Sequence, residues 1–194
     1  MRIKLLALLS LLFIPLSAPA GAEETNPEGT GAQISITIFK GRRELWLFRG
    51  ENLLKAYRIH LGSSPQEEKR ERGDNKTPEG DYQVVEKKKK SPFHRFIGIN
   101  YPNLKDAERA FEQGRISADE WVEILYATHT RSKPPWDTAL GGSIGIHGIG
   151  TNEKFKKRLI GDMDWTNGCI AVTNREIEEL FRIVPLGTTV RIRK

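Results

Sequence analysis

The segment ISITIF, residues 34–39, has isoleucine at every second position. This period-two pattern predicts a strand with one buried face. Two further strand-like segments follow, LWLF at residues 45–48 and a second at residues 55–61. Gly41 and the Gly-Glu-Asn sequence at residues 50–52 supply turn residues between them. The domain is therefore predicted to begin with a three-stranded antiparallel meander.

Five more short strands are predicted downstream from their alternation and from the Pro, Gly and Asn residues around them. They cover residues 80–86, 96–100, 143–147, 170–172 and 189–193. Three charged segments are interpreted as solvated loops, because such runs rarely pack into a core. These are residues 62–79, the lysine run at residues 87–90 and the basic segment at residues 150–166.

Two segments have the spacing of amphipathic helices. Within residues 104–131, Ser117 and Glu120 match a capping box. The apolar face that follows consists of Trp121, Ile124, Leu125 and Thr128. Thr173 and Glu176 match a second box, before a face formed by Ile177, Leu180, Phe181 and Val184. The fold class predicted from these patterns is mainly β, with inserted and C-terminal helices against the sheet.

The N-terminal segment has the pattern of a secretory signal peptide. Arg2 and Lys4 precede an apolar run at residues 5–16, and small residues follow up to residue 22. That run is shorter than the roughly 20 residues that span a bilayer, although an uncleaved anchor is the alternative. We expect a signal peptide at 1–22, a short linker at 23–32 and a domain at 33–194 that is large enough for a catalytic domain. After cleavage of the signal peptide, the protein is expected to be soluble in a bacterial periplasm.

The charge balance argues against a nucleic-acid partner. The formal net charge is +6, and it falls to +4 without Arg2 and Lys4. This surplus is modest, and no basic stretch interleaved with aromatic residues is present. An exported protein with such a surface is compatible with an anionic polymer instead.

Cys169 is the single cysteine of the chain, within DWTNGCIAVTN at residues 164–174. Cysteines of exported proteins usually form disulfides, so a lone one indicates either a reactive thiol or an intermolecular bridge. The alternative is a buried, inert cysteine that packs as a small hydrophobe. A reactive thiol needs its pKa lowered from about 8.5, which a nearby imidazole or a cluster of backbone N–H groups accomplishes.

His147 is the candidate imidazole, at the end of a predicted strand within GGSIGIHG, residues 141–148. The neighbouring glycines allow a close approach of backbone or substrate. The alternative is a hydrogen-bonded structural histidine. The other histidines, His60, His94 and His129, show no metal-ligand spacing, and no cysteine pair supports a zinc site. The turn Asn167-Gly168-Cys169 is a candidate oxyanion hole built from backbone N–H groups, or else a purely structural turn.

These motifs together resemble the catalytic domain of L,D-transpeptidases of the YkuD type. The family hallmark is a histidine followed by glycine, a spacer, and then Ser/Thr-His-Gly-Cys. Ile146-His147-Gly148 resembles the first part and residues 166–170 (TNGCI) resemble the second. Residues 76–80 (KTPEG) are similar to another recurrent family stretch. The resemblance covers nearly the whole domain and implies a β-sandwich or barrel-like fold.

Three features depart from the family pattern. Asn167 replaces the motif histidine, Ala171 replaces the usual Asn or Arg, and the 18-residue spacer between His147 and Thr166 is long. The cysteine and the family base are both retained. The departures leave open any side-chain role at positions 167 and 171, and with it the choice of acceptor.

The resemblance implies a cysteine acyltransferase of peptidoglycan biosynthesis, in which Cys169 attacks the diamino acid–D-Ala bond of a tetrapeptide stem and His147 is the base. It implies backbone roles for Asn167, Gly168 and Gly148, with the Gly148 carbonyl orienting the imidazole. The acceptor it implies is an amine of another stem or of an outer-membrane lipoprotein, with no metal and no cofactor. Tyr101 and Trp136 are candidates for lining the donor site or a lid, with buried packing as the alternative for each.

Three other readings share part of this evidence. An L,D-carboxypeptidase, or a hydrolase that detaches lipoprotein, uses the same thioacyl-enzyme with water as acceptor. A papain-like peptidase has its cysteine before its histidine at the start of a helix, which is the reverse of the order here. A non-catalytic peptidoglycan-binding module needs neither residue.

Overall fold

Strand β1 (Ile34–Phe39) forms where the alternation predicts it, in a computed structural model that describes residues 32–194. Strands β2 (Glu44–Arg49) and β3 (Asn52–Arg58) complete the predicted meander, each antiparallel to its predecessor. The signal peptide predicted at 1–22, and the linker predicted at 23–32 apart from its last residue, lie outside the described residues.

The rest of the domain continues as a mixed sheet with four helices. In chain order its elements are β4 (Gly80–Ser91), β5 (His94–Ile99), α1 (Leu104–Glu112), α2 (Ala118–His129), β6 (Gly145–His147), α3 (Glu153–Ile160), β7 (Ile170–Ala171), α4 (Asn174–Ile183) and β8 (Thr189–Arg193). The predicted mainly β fold with inserted and C-terminal helices is confirmed.

The eight strands form one sheet in the order β3-β2-β1-β8-β4-β5-β6-β7. Neighbouring strands are antiparallel except for two parallel pairs, β1 with β8 and β6 with β7. The first and last strands of the domain are therefore neighbours in the middle of the sheet, and the two flanking halves extend from them.

The two edges of this sheet meet. Just beyond β3, His60 and Ala171 exchange two backbone hydrogen bonds of 2.9 and 2.8 Å. Gly62 forms a further bridge to Thr166. Because the residues after β3 pair with β7 and the turn before it, the sheet curls and closes, which gives the barrel-like architecture implied by the family resemblance.

The interior of the curled sheet is apolar. The inward side chains of β1, Ile36 and Ile38, are fully buried, as alternation requires. Burying each contributes roughly 1.5–3 kcal/mol to the free energy of unfolding. The same cluster includes Leu45, Leu47, Tyr57, Tyr82, Val84, Ile97, Ile99, Ile146, Ile170, Ile177, Leu180, Val190 and Ile192. Helix α4 packs onto it through Ile177 and Leu180, so the last helix lies directly against the strands that carry the site.

Helices α2 and α4 begin at the caps that the sequence predicts. The Ser117 side chain accepts the backbone N–H of Glu120 in α2, and Thr173 accepts that of Glu176 in α4. Helix α1 has an equivalent box, formed by Asn103 and Asp106, that was not predicted. Helices α1 and α2 share a small separate core with Leu140, so the inserted segment is a helical hairpin rather than one helix.

Two predicted loops are wrong. The lysine run at residues 87–90 lies inside β4, which continues to pair with β5. The ammonium groups of Lys87 and Lys88 lie over the Phe181 and Phe96 rings, and residues 88–90 are exposed to solvent. The basic segment at residues 150–166 contains α3, whose lysines and arginine are good helix formers. In both places a high charge density was interpreted as the absence of secondary structure.

Within residues 32–194, we find no helix with the length and apolarity needed to cross a bilayer.

Leu180→Ala should lower the free energy of unfolding by about 2–5 kcal/mol, because Leu180 is fully buried between α4 and the sheet. Leu186→Ala is the matched control, since Leu186 is 61% exposed, and it should change the value by less than about 0.5 kcal/mol. Urea unfolding followed by tryptophan fluorescence measures both. Equal effects of the two substitutions would contradict the described packing of α4.

Candidate functional site

His147 ends strand β6, and Cys169 immediately precedes the neighbouring strand β7. Strands β6 and β7 are parallel, with Ile146 opposite Ile170 and His147 opposite Ala171. Cys169 directly precedes β7 and is therefore level with Gly145. Since alternate residues share a face, Cys169 and His147 are diagonal neighbours on one face of the sheet.

Both side chains border one small cavity. Its volume is about 200 Å³, and it is lined by Lys88, Lys90, Ser91, Pro92, Phe93, Phe96, Ser143, His147 and Cys169. Most of these residues come from the outer part of the β4–β5 hairpin, so that hairpin forms one wall. The β6–β7 edge forms the other wall. The arrangement gives the Cys169 thiol and the His147 imidazole a common, partly enclosed space.

His147 is held in a single tautomer. Its ring is 2% exposed, and Nδ1 lies 2.7 Å from the carbonyl oxygen of Gly148. A carbonyl only accepts, so Nδ1 carries the proton and Nε2 is left with its lone pair. Burial lowers the pKa of His147, an effect that the Gly148 carbonyl opposes. The resting imidazole is therefore neutral and able to accept a proton at Nε2.

Aromatic rings enclose this imidazole. Phe93 stacks on it with ring centroids 4.4 Å apart and planes at 28°, and Trp165 meets it edge-on at 5.9 Å. Phe93 belongs to the turn between β4 and β5, and sequence analysis missed it. Its only signal was a position in a Ser-Pro-Phe turn after the lysine run. Phe93 keeps water from one face of the base, which accounts for much of the burial.

The thiol of Cys169 is protonated in this environment, contrary to the expected low pKa. Burial raises the pKa of Cys169 to about 11, and a hydrogen bond from the Gly145 backbone and the charge of Lys69 offset this only in part. The half-buried Sγ donates to the carbonyl oxygen of Ser143 at 3.4 Å. Cys169 and His147 are thus both neutral at rest, and the thiol donates to Ser143.

The turn before Cys169 is held together by Thr166. Its hydroxyl donates to the Cys169 carbonyl oxygen at 2.7 Å and accepts the Gly168 N–H at 3.1 Å. The Gly168 N–H is therefore already engaged, which contradicts its expected role as an oxyanion donor. Of the predicted oxyanion donors in this turn, the backbone N–H groups of Asn167 and Cys169 remain candidates.

The backbone of residues 62–79 packs against the turn that precedes Cys169. Gly168 has φ of +124°, and a Cβ there would lie 2.6 Å from the carbonyl oxygen of Lys76. A Cβ on Gly62 would lie 2.2 Å from the carbonyl oxygen of Asn75. Both glycines are needed because the loop backbone passes so close. Inside the loop, Lys69 and Asp74 form a buried ion pair of 2.8 Å.

The two predicted lining residues do not line the Cys169 cavity. Tyr101 is fully buried, and its hydroxyl donates to the Leu140 carbonyl oxygen at 3.3 Å, so the substrate-contact prediction for it is wrong and the packing alternative holds. Trp136 borders a separate groove of about 880 Å³ beside α2. Lys88 links the two regions, with Nζ 5.6 Å from the Trp136 ring centroid.

Among residues 32–194, no group of three or more His, Cys, Asp or Glu side chains is placed to hold a metal ion.

Comparison with known sequences places this geometry in a family context. A family model described as the YkuD L,D-transpeptidase catalytic domain matches residues 33–192. YafK of Escherichia coli (strain K12), named as a predicted L,D-transpeptidase, is 32% identical over 198 residues. That alignment covers 93% of this chain and 63% of YafK, so the chain spans less than two thirds of that relative.

Solved structures with the same fold include two from other bacteria. Bd1075 of Bdellovibrio bacteriovorus superposes with a TM-score of 0.53 at 22% identity, covering 84% of this chain and 48% of that one. The helical cell shape determining protein Pgp2 of Campylobacter jejuni gives a TM-score of 0.53 at 20% identity, with 84% and 48% coverage. At these identities the similarity concerns the fold.

The alkylation rate of Cys169 should rise about tenfold per pH unit between pH 7 and pH 10, because a thiol with a pKa of about 11 is protonated throughout that range. Iodoacetamide labelling followed by intact-mass spectrometry measures the rate, and the chain has no other cysteine. A cysteine-containing peptide, with an ordinary pKa of about 8.5, should level off earlier. A plateau below pH 8 for the protein would instead indicate a preformed thiolate.

Phe93→Ala should raise the pKa of His147 towards its ordinary value, because hydration of the exposed ring face favours the charged imidazolium. NMR titration of the imidazole resonances, assigned with a His147→Asn variant, measures the shift. Phe111→Ala is the control, since that ring lies on α1 and is 45% exposed. An unchanged His147 pKa in Phe93→Ala would show that this ring does not control hydration of the base.

Proposed function

Because the chain belongs to the YkuD family of L,D-transpeptidase catalytic domains, we propose that it is a cysteine-dependent acyltransferase that cross-links peptidoglycan stem peptides. The donor bond is the amide between the diamino acid and the terminal D-Ala of a tetrapeptide stem. One observation carries the proposal: the single thiol and a tautomer-fixed imidazole border the same cavity. The N-terminal signal pattern fits a substrate outside the cytoplasm, so the site of action is the periplasm.

The resting protonation states determine how the nucleophile forms. Cys169 is a thiol and His147 is neutral, so the proton moves to Nε2 as Sγ attacks the carbonyl carbon. The Nδ1–H···O bond to Gly148 is retained and stabilises the imidazolium as its charge develops. Attack and proton transfer are thus coupled, and a standing thiolate is not required.

The tetrahedral intermediate carries a negative oxygen. The N–H groups of Asn167 and Cys169 are the proposed donors, because the Gly168 N–H serves Thr166. Thr166 stabilises the hole indirectly, since its two hydrogen bonds keep the turn in one conformation. Only backbone N–H groups are needed for this role, so replacement of the motif histidine by Asn167 is compatible with it.

Collapse of the intermediate completes acylation. The imidazolium gives its proton to the nitrogen of D-Ala, the C–N bond breaks, and a thioester of Cys169 remains. An amine then attacks the thioester carbon, His147 accepts the amine proton, and the thiolate leaves and is reprotonated. The acceptor is the amine of a second stem or of an outer-membrane lipoprotein. Water in its place gives the carboxypeptidase or lipoprotein-detaching reaction.

The full chain should convert purified disaccharide–tetrapeptides into cross-linked dimers with release of D-Ala, as measured by liquid chromatography and mass spectrometry. Cys169→Ala should lower the rate by about 10³-fold or more, and His147→Ala by a similar factor, because each removes one reacting group. Lys89→Ala is the control, since Lys89 does not line the cavity, and it should leave the rate unchanged.

The products discriminate between the readings that remain. Tripeptide monomers without dimers would indicate that water, rather than an amine, resolves the acyl-enzyme. An unreacted substrate, together with no acylation of Cys169 by a β-lactam such as a carbapenem, would contradict the enzyme reading. Sacculus binding that is equal in parent and Cys169→Ala would then support a non-catalytic binding module.

A further inference from the structure

The four consecutive lysines of β4 serve different parts of the protein. Lys87 Nζ donates to the carbonyl oxygens of Phe181 and Val184, both at 2.7 Å, and so binds the C-terminal end of α4. Lys88 and Lys90 line the cavity that contains Cys169, whereas Lys89 does not. This division follows the alternation of side chains along a strand. The run is therefore a structural anchor plus two cations that border the candidate site, and Lys90 also borders a neighbouring groove beside Lys89 and Glu153.

The charge at this cavity is entirely positive. Of the nine described residues that line it, Lys88 and Lys90 are the charged ones, and no Asp or Glu is among them. The other walls are the rings of Phe93 and Phe96, the Pro92 ring, and the neutral side chains of Ser91, Ser143, His147 and Cys169. A cavity with apolar walls and cations at its mouth attracts an anionic group of a ligand.

The two lysines differ in how they are held. Lys88 pairs with Glu86 at 3.1 Å, and its Nζ lies 5.6 Å from the ring centroids of both Phe96 and Trp136. Its charge is thus partly neutralised and its side chain is fixed. Lys90 has no ion-pair partner within residues 32–194 and is exposed at the cavity mouth. Lys90 is the cation that remains available for a ligand.

We propose that Lys90, supported by Lys88, forms a subsite for a carboxylate of the donor stem peptide. The inference rests on the proposed function for its substrate class, and it concerns recognition rather than the acyl transfer itself. A tetrapeptide stem offers two carboxylates near the scissile amide, one at the terminal D-Ala and one on the side chain of a carboxylated diamino acid. An ammonium at the cavity mouth binds either by a charge-assisted hydrogen bond.

The consequence for substrate choice is specific. A stem that carries a carboxylate at the recognised position gains this contact, and the same stem with that carboxylate converted to an amide loses it. If the side-chain carboxylate is the one bound, stems built on lysine lack the group and bind more weakly. The subsite thus makes the domain selective for carboxylated donors.

Calorimetric titration of soluble tetrapeptides into the full-length Cys169→Ala protein tests this without any turnover. Adding Lys90→Ala should raise the Kd about three- to tenfold for the carboxylated stem, and higher salt should reduce that difference. Lys90→Arg should restore most of the affinity, because it retains the charge. Lys89→Ala is the matched control on the same strand and should leave the Kd unchanged.

Two amide analogues identify the carboxylate. One has the D-Ala carboxylate amidated and the other has the diamino-acid side chain amidated. The analogue that lacks the recognised group should bind equally to proteins with and without Lys90→Ala. If Lys89→Ala weakens binding as much as Lys90→Ala, or if both analogues keep the full effect of Lys90, the attraction is a general one and the subsite is overturned.

The outcomes separate this inference from the proposed function. Dimer formation by the parent enzyme, with stem binding insensitive to Lys90, would leave the acyltransferase standing and remove the subsite. Lys90-dependent binding without any turnover would keep the subsite and remove the acyltransferase. Failure of the Cys169→Ala protein to bind any stem would overturn the subsite, and dimer formation by the parent enzyme would still decide the acyltransferase separately.

Discussion

The pair of backbone hydrogen bonds between His60 and Ala171 is the constraint on which the site depends. It joins the chain beyond β3 to β7 and so brings the two edges of the sheet together. With that closure the loop at residues 62–79 lies against Gly168, and the Cys169 turn has one conformation. Without it β7, only two residues long, would have a single strand neighbour. Cys169 is therefore positioned by tertiary pairing rather than by the short strand that follows it.

Closure of the sheet also affects protonation, because burial favours the neutral form of both Cys169 and His147. It disfavours the thiolate of Cys169 and the imidazolium of His147, so each is neutral at rest. Neutral pH is about four units below the pKa of Cys169, so deprotonating its thiol there costs roughly 5 kcal/mol. In the proposed reaction, proton transfer to His147, which borders the same cavity, offsets much of that cost. The fixed Nδ1–H bond to Gly148 and the Phe93 ring keep this base in place.

Local patterns predicted most of the fold. The meander, β8 and the capping boxes of α2 and α4 follow from alternation and helix-start signals, which depend on neighbouring residues only. The prominence of Cys169 and His147 also came from local motifs. What could not be predicted depends on contacts between distant segments. Phe93 reaches His147 across 54 positions of sequence, and the commitment of the Gly168 N–H to Thr166 requires the turn's actual geometry. Tyr101 was misassigned because an aromatic near a predicted lid looks the same in sequence whether it faces a ligand or the core.

The parallel pairing of β1 with β8 has a consequence for how the chain acquires its structure. Ser35 is paired with Thr189, so the middle of the sheet cannot form until nearly the whole domain has been synthesised. Until then β1 presents an open edge of alternating isoleucines, the kind of surface that pairs with other nascent chains. The domain is therefore expected to fold late, once its C-terminal strand is available.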